Sequence, residues 1–204
     1  MARSPKVSGQ FVFRAAAAGA VLISVSSFAA HERTVRTASP PVNAEGKRMV
    51  ISAMQLAQLQ LPGLPRGQRG SVLNVSAPMQ YGQFVWDDSG VPVGPVSIRV
   101  DLKAQTISVF RSGHEIGTAV ILYGADEKPT PTGDFHILQK LEDHRSSLYG
   151  AAMPYTLRLT GDGIAIHGSD VRRGAATHGC IGVPNPFAKA LFHEAKSGDR
   201  VKIV

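Results

Sequence analysis

The sequence predicts a mainly β domain over residues 95–204 with one short helix near its C terminus, preceded by a signal peptide at 1–30 and a flexible tether at 31–94. Three observations carry that reading. From Val96 onward, apolar and polar residues alternate in short runs, the period of half-buried strands. Glycine and proline clusters punctuate those runs. Only one stretch of that region, after Asn185, spaces its apolar residues as a helix does.

The N terminus carries Arg3, Lys6 and Arg14 and then an uncharged run from Ala15 to Ala30 rich in Ala, Val, Leu and Ile, which is the layout of a secretory signal. Ser27-Phe28-Ala29 places cleavage after Ala29 or Ala30. An uncleaved anchor is the alternative, but the run is shorter than the roughly 20 residues of a membrane span. Residues 31–94 read as a tether because Ser39-Pro40-Pro41, Pro62 to Gly67 and Gly90 to Pro95 are breaker clusters with polar spacers. Between them, Met49 to Leu61 predicts one short helix, with Leu59 off its apolar face.

Val96, Ile98 and Val100 alternate with Ser97, Arg99 and Asp101, and Ile107 and Val109 with Thr106 and Ser108. Arg111-Ser112-Gly113-His114 predicts a hairpin turn into Ile116 to Leu122, giving a meander. Pro129-Thr130-Pro131-Thr132-Gly133 is a rigid loop whose two threonine hydroxyls are suited to bracing it. Further strands are expected at 135–138, 155–159 and 163–166, which puts His167 at or just past a strand end. Asn185 as cap, Pro186 at the first helical position, and Phe187, Ala190 and Leu191 on one face predict a helix that stops at Ser197-Gly198. A last strand is expected at 201–204.

A net charge of +7 and a pI near 9.9 favour contact with something anionic. For an exported chain that means cell wall or lipid headgroups. Aromatic residues make up only 6% and no Lys/Arg cluster is interleaved with them, which argues against nucleic acid. Membrane contact is expected only through the N-terminal segment.

The single cysteine, Cys180, lies in Thr177-His178-Gly179-Cys180-Ile181-Gly182-Val183-Pro184, thirteen positions after His167. It can form no intramolecular disulfide, and a lone thiol in an oxidising compartment calls for a chemical reason. Nucleophilic catalysis supplies one, provided a base or positive field generates the thiolate. His178 shares a face with Cys180 if the segment is extended, and His167 comes from an adjacent strand end. Gly179 lets a substrate pass close and lets the Gly179 and Cys180 N–H groups face an oxyanion. A buried structural thiol and a zinc site of His167, His178 and Cys180 are the alternatives, the latter without a fourth ligand.

The set His167-Gly168, Thr177-His178-Gly179-Cys180-Ile181 and Pro129 to Gly133 resembles the catalytic domain of the L,D-transpeptidases over roughly residues 95–204. The resemblance implies a β-sandwich or barrel with one short C-terminal helix, a periplasmic or cell-envelope location, peptidoglycan stem peptides as partners and no cofactor or metal. It implies Cys180 as nucleophile on a tetrapeptide donor, with D-alanine released and an amine resolving the thioester. His167 matches the proton donor and acceptor, the Gly168 carbonyl its orienting group, and His178 and Gly179 the surroundings of the oxyanion site. Thr177 stands where serine is more frequent.

Two departures stand out. Gly182 occupies a position where the family usually carries arginine, with Arg158, Arg172 and Arg173 as other sources of positive charge, and the loop from His167 to Cys180 is short. Arg172, Arg173, Tyr155 and Thr177 are candidate substrate contacts. His31, His114, His136, His144 and His193 have no companion at ligand spacing, and Asp143-His144 reads as a solvated loop. A wall-binding module without activity, and a carboxypeptidase or hydrolase in which water takes the acyl group, are the competing functions.

Overall fold

A computed structural model describes residues 48–61, 69–125 and 127–204. The expected signal segment and the start of the expected tether lie outside the described residues. The described part of that tether is built into the domain, as strand β1 (Arg48–Ile51), helix α1 (Ala53–Gln58), and strands β2 (Gly70–Leu73) and β3 (Phe84–Trp86). The physical reason is Phe110, an apolar residue on the polar side of the alternation. It is 2% exposed, covered by Ile51, Leu56 and Leu61, and it would face water if that segment hung free. Helix α1 is shorter than expected, and it begins at a capping box in which Ser52 and Gln55 exchange hydrogen bonds.

The expected meander is present as β4 (Val96–Asp101), β5 (Thr106–Arg111) and β6 (His114–Val120). Ser112 and Gly113 both have positive φ, as a two-residue hairpin turn of matching twist requires. After the Pro129 to Gly133 loop come β7 (Gly133–His136), β8 (Gln139–Leu141), β9 (Thr156–Arg158), β10 (Ala165–Ser169), β11 (Ile181–Pro184), helix α2 (Asn185–Glu194) and β12 (Arg200–Ile203). One sheet runs β1-β2-β6-β5-β4-β12-β7, with β3 also on β6, and a second runs β11-β10-β9-β8. The architecture is therefore more than a meander: β12 lies parallel to β4, β2 to β6 and β11 to β10.

One apolar core joins both sheets and α2, with Ile98, Ile107, Ile116, Ile166, Ile181, Phe187, Leu191 and Val201 all at or near zero exposure. Phe187 packs edge-on against Trp86 at 5.4 Å and Phe84 at 6.0 Å. Trp86 lies over Gly117, its cross-strand partner, where any Cβ would fall 2.4 Å from the indole. Helix α2 differs from expectation at its start, since Pro184 is the N-cap and Asn185 makes no capping bond. At its other end Lys140 Nζ takes the Phe192 and Ala195 carbonyls at 2.5 and 2.6 Å, a cation where the helix dipole favours one. Among the described residues, no helix is long and apolar enough to cross a membrane.

Candidate functional site

Two strands bring the chemistry together. His167 is the central residue of β10 and is paired with Gly182 of β11, so it stands inside a strand rather than at its end. Cys180 immediately precedes β11. Neither β11 nor β8 was expected, because Gly182 and Pro184 punctuate the first and the second is only three residues long.

The segment around the cysteine is sewn to the chain that follows β6. Leu122 and Gly182 exchange backbone bonds at 2.8 and 2.9 Å, Thr177 N–H donates to Tyr123 O at 3.0 Å, and Ala125 N–H donates to Thr177 O at 3.2 Å. Thr177 Oγ1 donates to Cys180 O at 2.5 Å, so this hydroxyl closes the turn that carries the thiol. Gly179 sits at φ +97, a conformation that L side chains rarely adopt. That angle interrupts the extended run on which the same-face relation expected between His178 and Cys180 depends, and both residues nevertheless line one cavity.

His178 is exposed and stacks on the Tyr149 ring, centroids 4.1 Å apart and planes 14° apart. Tyr149 belongs to an arm folded back on itself through bonds from Tyr155 N–H to Glu142 O, Met153 N–H to His144 O and Ser146 N–H to Ala151 O, all between 2.7 and 2.9 Å. Leu148 and Tyr149 at its tip are well exposed.

His167 is 8% exposed, and its Nδ1 lies 2.9 Å from Gly168 O. A carbonyl only accepts, so Nδ1 carries the proton and Nε2 is left as the acceptor. Burial lowers the His167 pKa first of all, opposed by the Gly168 carbonyl and reinforced by His144. Burial likewise raises the Cys180 thiol, against the Ala165 N–H and the Lys128 charge, and Asp162 raises it further. The Sγ–H points to Gly163 O at 3.5 Å. Both shifts favour the uncharged forms, a thiol and a neutral imidazole.

Cys180, His167, His178 and Thr177 line one cavity of about 590 Å³, together with Lys128, His144, Tyr149, Arg158, Asp162 and Ser169. Tyr155 is outside its lining and packs on Phe192 at 5.8 Å, turned to the core by its own positive φ of 56. Arg172 and Arg173 are exposed and also outside it, Arg172 pairing with Asp170 at 3.6 Å. Arg158 is in the lining, with its guanidinium on Thr160 O and Gly161 O. Lys128 and His144 were not singled out by the sequence, since only the folding back of two loops brings them here. At Gly182 a Cβ would meet Ser169 Cβ at 3.0 Å and Leu122 Cβ at 3.3 Å, so the absent arginine side chain corresponds to a tight strand contact. Among the described residues, no group of three or more His, Cys, Asp or Glu side chains is arranged to hold a metal, so the zinc alternative finds no ligand set there.

The family model described as the L,D-transpeptidase catalytic domain (YkuD) matches residues 95–203. L,D-transpeptidase 1 of Mycobacterium tuberculosis is 29% identical over 133 residues, which cover 56% of this chain and 53% of the relative. The chain therefore spans about half the length of the curated relatives it matches. Among solved structures, an L,D-transpeptidase of Enterococcus faecium is 26% identical with a TM-score of 0.51, covering 55% of this chain and 50% of that one. An L,D-transpeptidase from Mycobacterium smegmatis, 18% identical with a TM-score of 0.50 over 55% of this chain and 68% of that one, shares the fold.

Proposed function

The chain belongs to the L,D-transpeptidase catalytic domain family, and from that premise we propose that it is an exported peptidoglycan L,D-transpeptidase acting through Cys180 and His167. The observation that supports the reading most is the fixed tautomer of His167: Gly168 O holds Nδ1–H, and the free Nε2 belongs to a ring lining the same cavity as the thiol.

In this mechanism the Cys180 proton passes to His167 Nε2 as sulfur attacks the carbonyl of the third residue of a stem tetrapeptide. The oxyanion meets the Gly179 and Cys180 N–H groups, neither of which donates to a turn or loop carbonyl among the described residues. The C–N bond then breaks, the imidazolium gives its proton to the departing D-alanine nitrogen, and a thioester remains. An amine of a second stem peptide attacks that thioester, His167 accepts the amine proton, and it returns it to the leaving sulfur. Water in the amine's place gives a carboxypeptidase. The basic composition suits an anionic wall, and the expected setting is the periplasm or cell envelope.

The test incubates purified chain with a disaccharide tetrapeptide while intact mass and soluble products are followed, beside Cys180→Ala. The expected result is a thioester adduct and D-alanine release, both lost in the variant. Folded protein that yields neither yet sediments with peptidoglycan would replace the proposal with a wall-binding function.

A further inference from the structure

Lys128 stands in the cavity wall beside the nucleophile segment. Among the described residues its ammonium joins no ion pair and no side-chain hydrogen bond. The backbone that carries it is tied down on both sides. Lys128 N–H donates to Ala125 O at 2.9 Å, Gly124 N–H donates to the Thr130 hydroxyl at 2.9 Å, and Gly124 bridges Thr177. Lys128 Cγ lies 3.6 Å from where a Cβ on Gly179 would be.

The other charged groups near the thiol have assignments. Arg158 is held by two loop carbonyls, and Asp162 accepts from the Thr160 hydroxyl, with the Lys128 and Arg158 charges acting on its carboxylate from beyond ion-pair distance. Arg172 and Arg173 stand outside the cavity. Lys128 and Asp162 act on the Cys180 thiol in opposite senses, so both lie within electrostatic reach of the reacting atoms. Three bonds beyond Cγ, an extended lysine places its ammonium about 4 Å further out, close to the 3.8 Å spacing of consecutive residues. A negative charge one residue beyond the attacked carbonyl would sit within its range.

We infer that Lys128 is a specificity-determining residue: its ammonium receives the terminal carboxylate of the donor peptide, the charge carried by the residue that leaves. The inference rests on the acyl-donor reading above. It makes a free C terminus on the donor a recognised feature, because an uncharged end offers the ammonium no charge-assisted contact.

The experiment compares a stem tetrapeptide ending in carboxylate with the same peptide ending in carboxamide. Binding is measured by calorimetry on Cys180→Ala, alone and combined with Lys128→Met, Lys128→Arg or Lys189→Met, the last an exposed cation on α2 that controls for net charge. The carboxylate donor should bind about tenfold more tightly, the gain of one charge-assisted contact. Lys128→Met should bring the ratio close to one by weakening only the carboxylate donor, while Lys128→Arg and Lys189→Met retain it. A ratio near one at the outset, or one unmoved by Lys128→Met, overturns the inference. Turnover of both donors is followed in parallel with Cys180 intact. Absence of any acyl-enzyme would sink the acyl-transfer reading, whereas a Lys128-dependent binding preference would still stand.

Discussion

Replacing Gly179 by alanine tests whether the backbone turn before Cys180 matters to catalysis or only to the fold. At φ +97 a Cβ is strained, at about 1–2 kcal/mol. The new methyl would also lie 2.8 Å from Ile164 Cδ1. That atom is the end of a side chain and can rotate away at about 0.5–1.5 kcal/mol if it leaves its rotamer. The sum, about 1.5–3.5 kcal/mol, corresponds in a chain of 204 residues to a melting temperature lowered by about 3–14 °C. Relief of the strain turns the Gly179–Cys180 peptide and misdirects its N–H, so kcat/KM for acyl-enzyme formation should fall about a hundredfold or more. The assay is the rate of thioester appearance by intact mass well below the variant's melting temperature, with scanning calorimetry alongside. A variant that melts in the expected range but acylates within threefold of the parent would refute the oxyanion role of this turn.

Two further outcomes follow from burial. The proposed mechanism requires neutral His167, whose pKa is held below 6.5 chiefly by desolvation, and starts from a Cys180 thiol held above 9.0 for the same reason. The kcat/KM profile should therefore be flat through neutrality and fall on the acid side only below pH 6.5, and His144→Gln should move that limb upward by removing a neighbouring charge. An acid limb at or above 6.5 in the parent would contradict the assignment. Glu115 of β6 is 6% exposed, accepts from Leu73 N–H at 2.8 Å, and has its pKa raised above 4.5 by desolvation in spite of Ser108, Leu73 and Arg48. The folded state then binds more protons, so stability is fully present below 4.5 and lost as pH rises through the folded pKa. Glu115→Gln should melt higher than the parent at pH 7 and lose that advantage below pH 4.5. A melting difference independent of pH would count against this reading.

Much of the site could be read in the chain because its chemistry is local. Thr177 to Cys180 and His167-Gly168 are short segments in which the reactive atoms and the groups that hold them are sequence neighbours. The Gly168 carbonyl orients the adjacent imidazole, and the Thr177 hydroxyl closes a turn of three residues. The meander from Val96 and the apolar face of α2 were legible for a related reason, since period-two and period-3.6 burial are written along one element.

Side-chain direction and long-range pairing are different matters. Tyr155 packs on Phe192 and His178 on Tyr149, and single positive φ angles at 155 and 179 interrupt the alternation from which a side-chain direction would be read. Strands β1 to β3 looked like linker because breaker residues lie between them, and only the exposed edge of β6 and the uncovered Phe110 give those residues a place. Lys128 and His144 carry no local mark of their position. By itself, the sequence determined the fold class and marked Cys180 and His167 as the candidate pair, because alternation and the motifs around each residue are written locally, although it is the pairing of β10 with β11 that brings the two segments together. Tertiary structure alone decided what forms the cavity around them, because that depends on loops distant in the chain whose meeting is driven by burial of a shared core rather than by any residue they display.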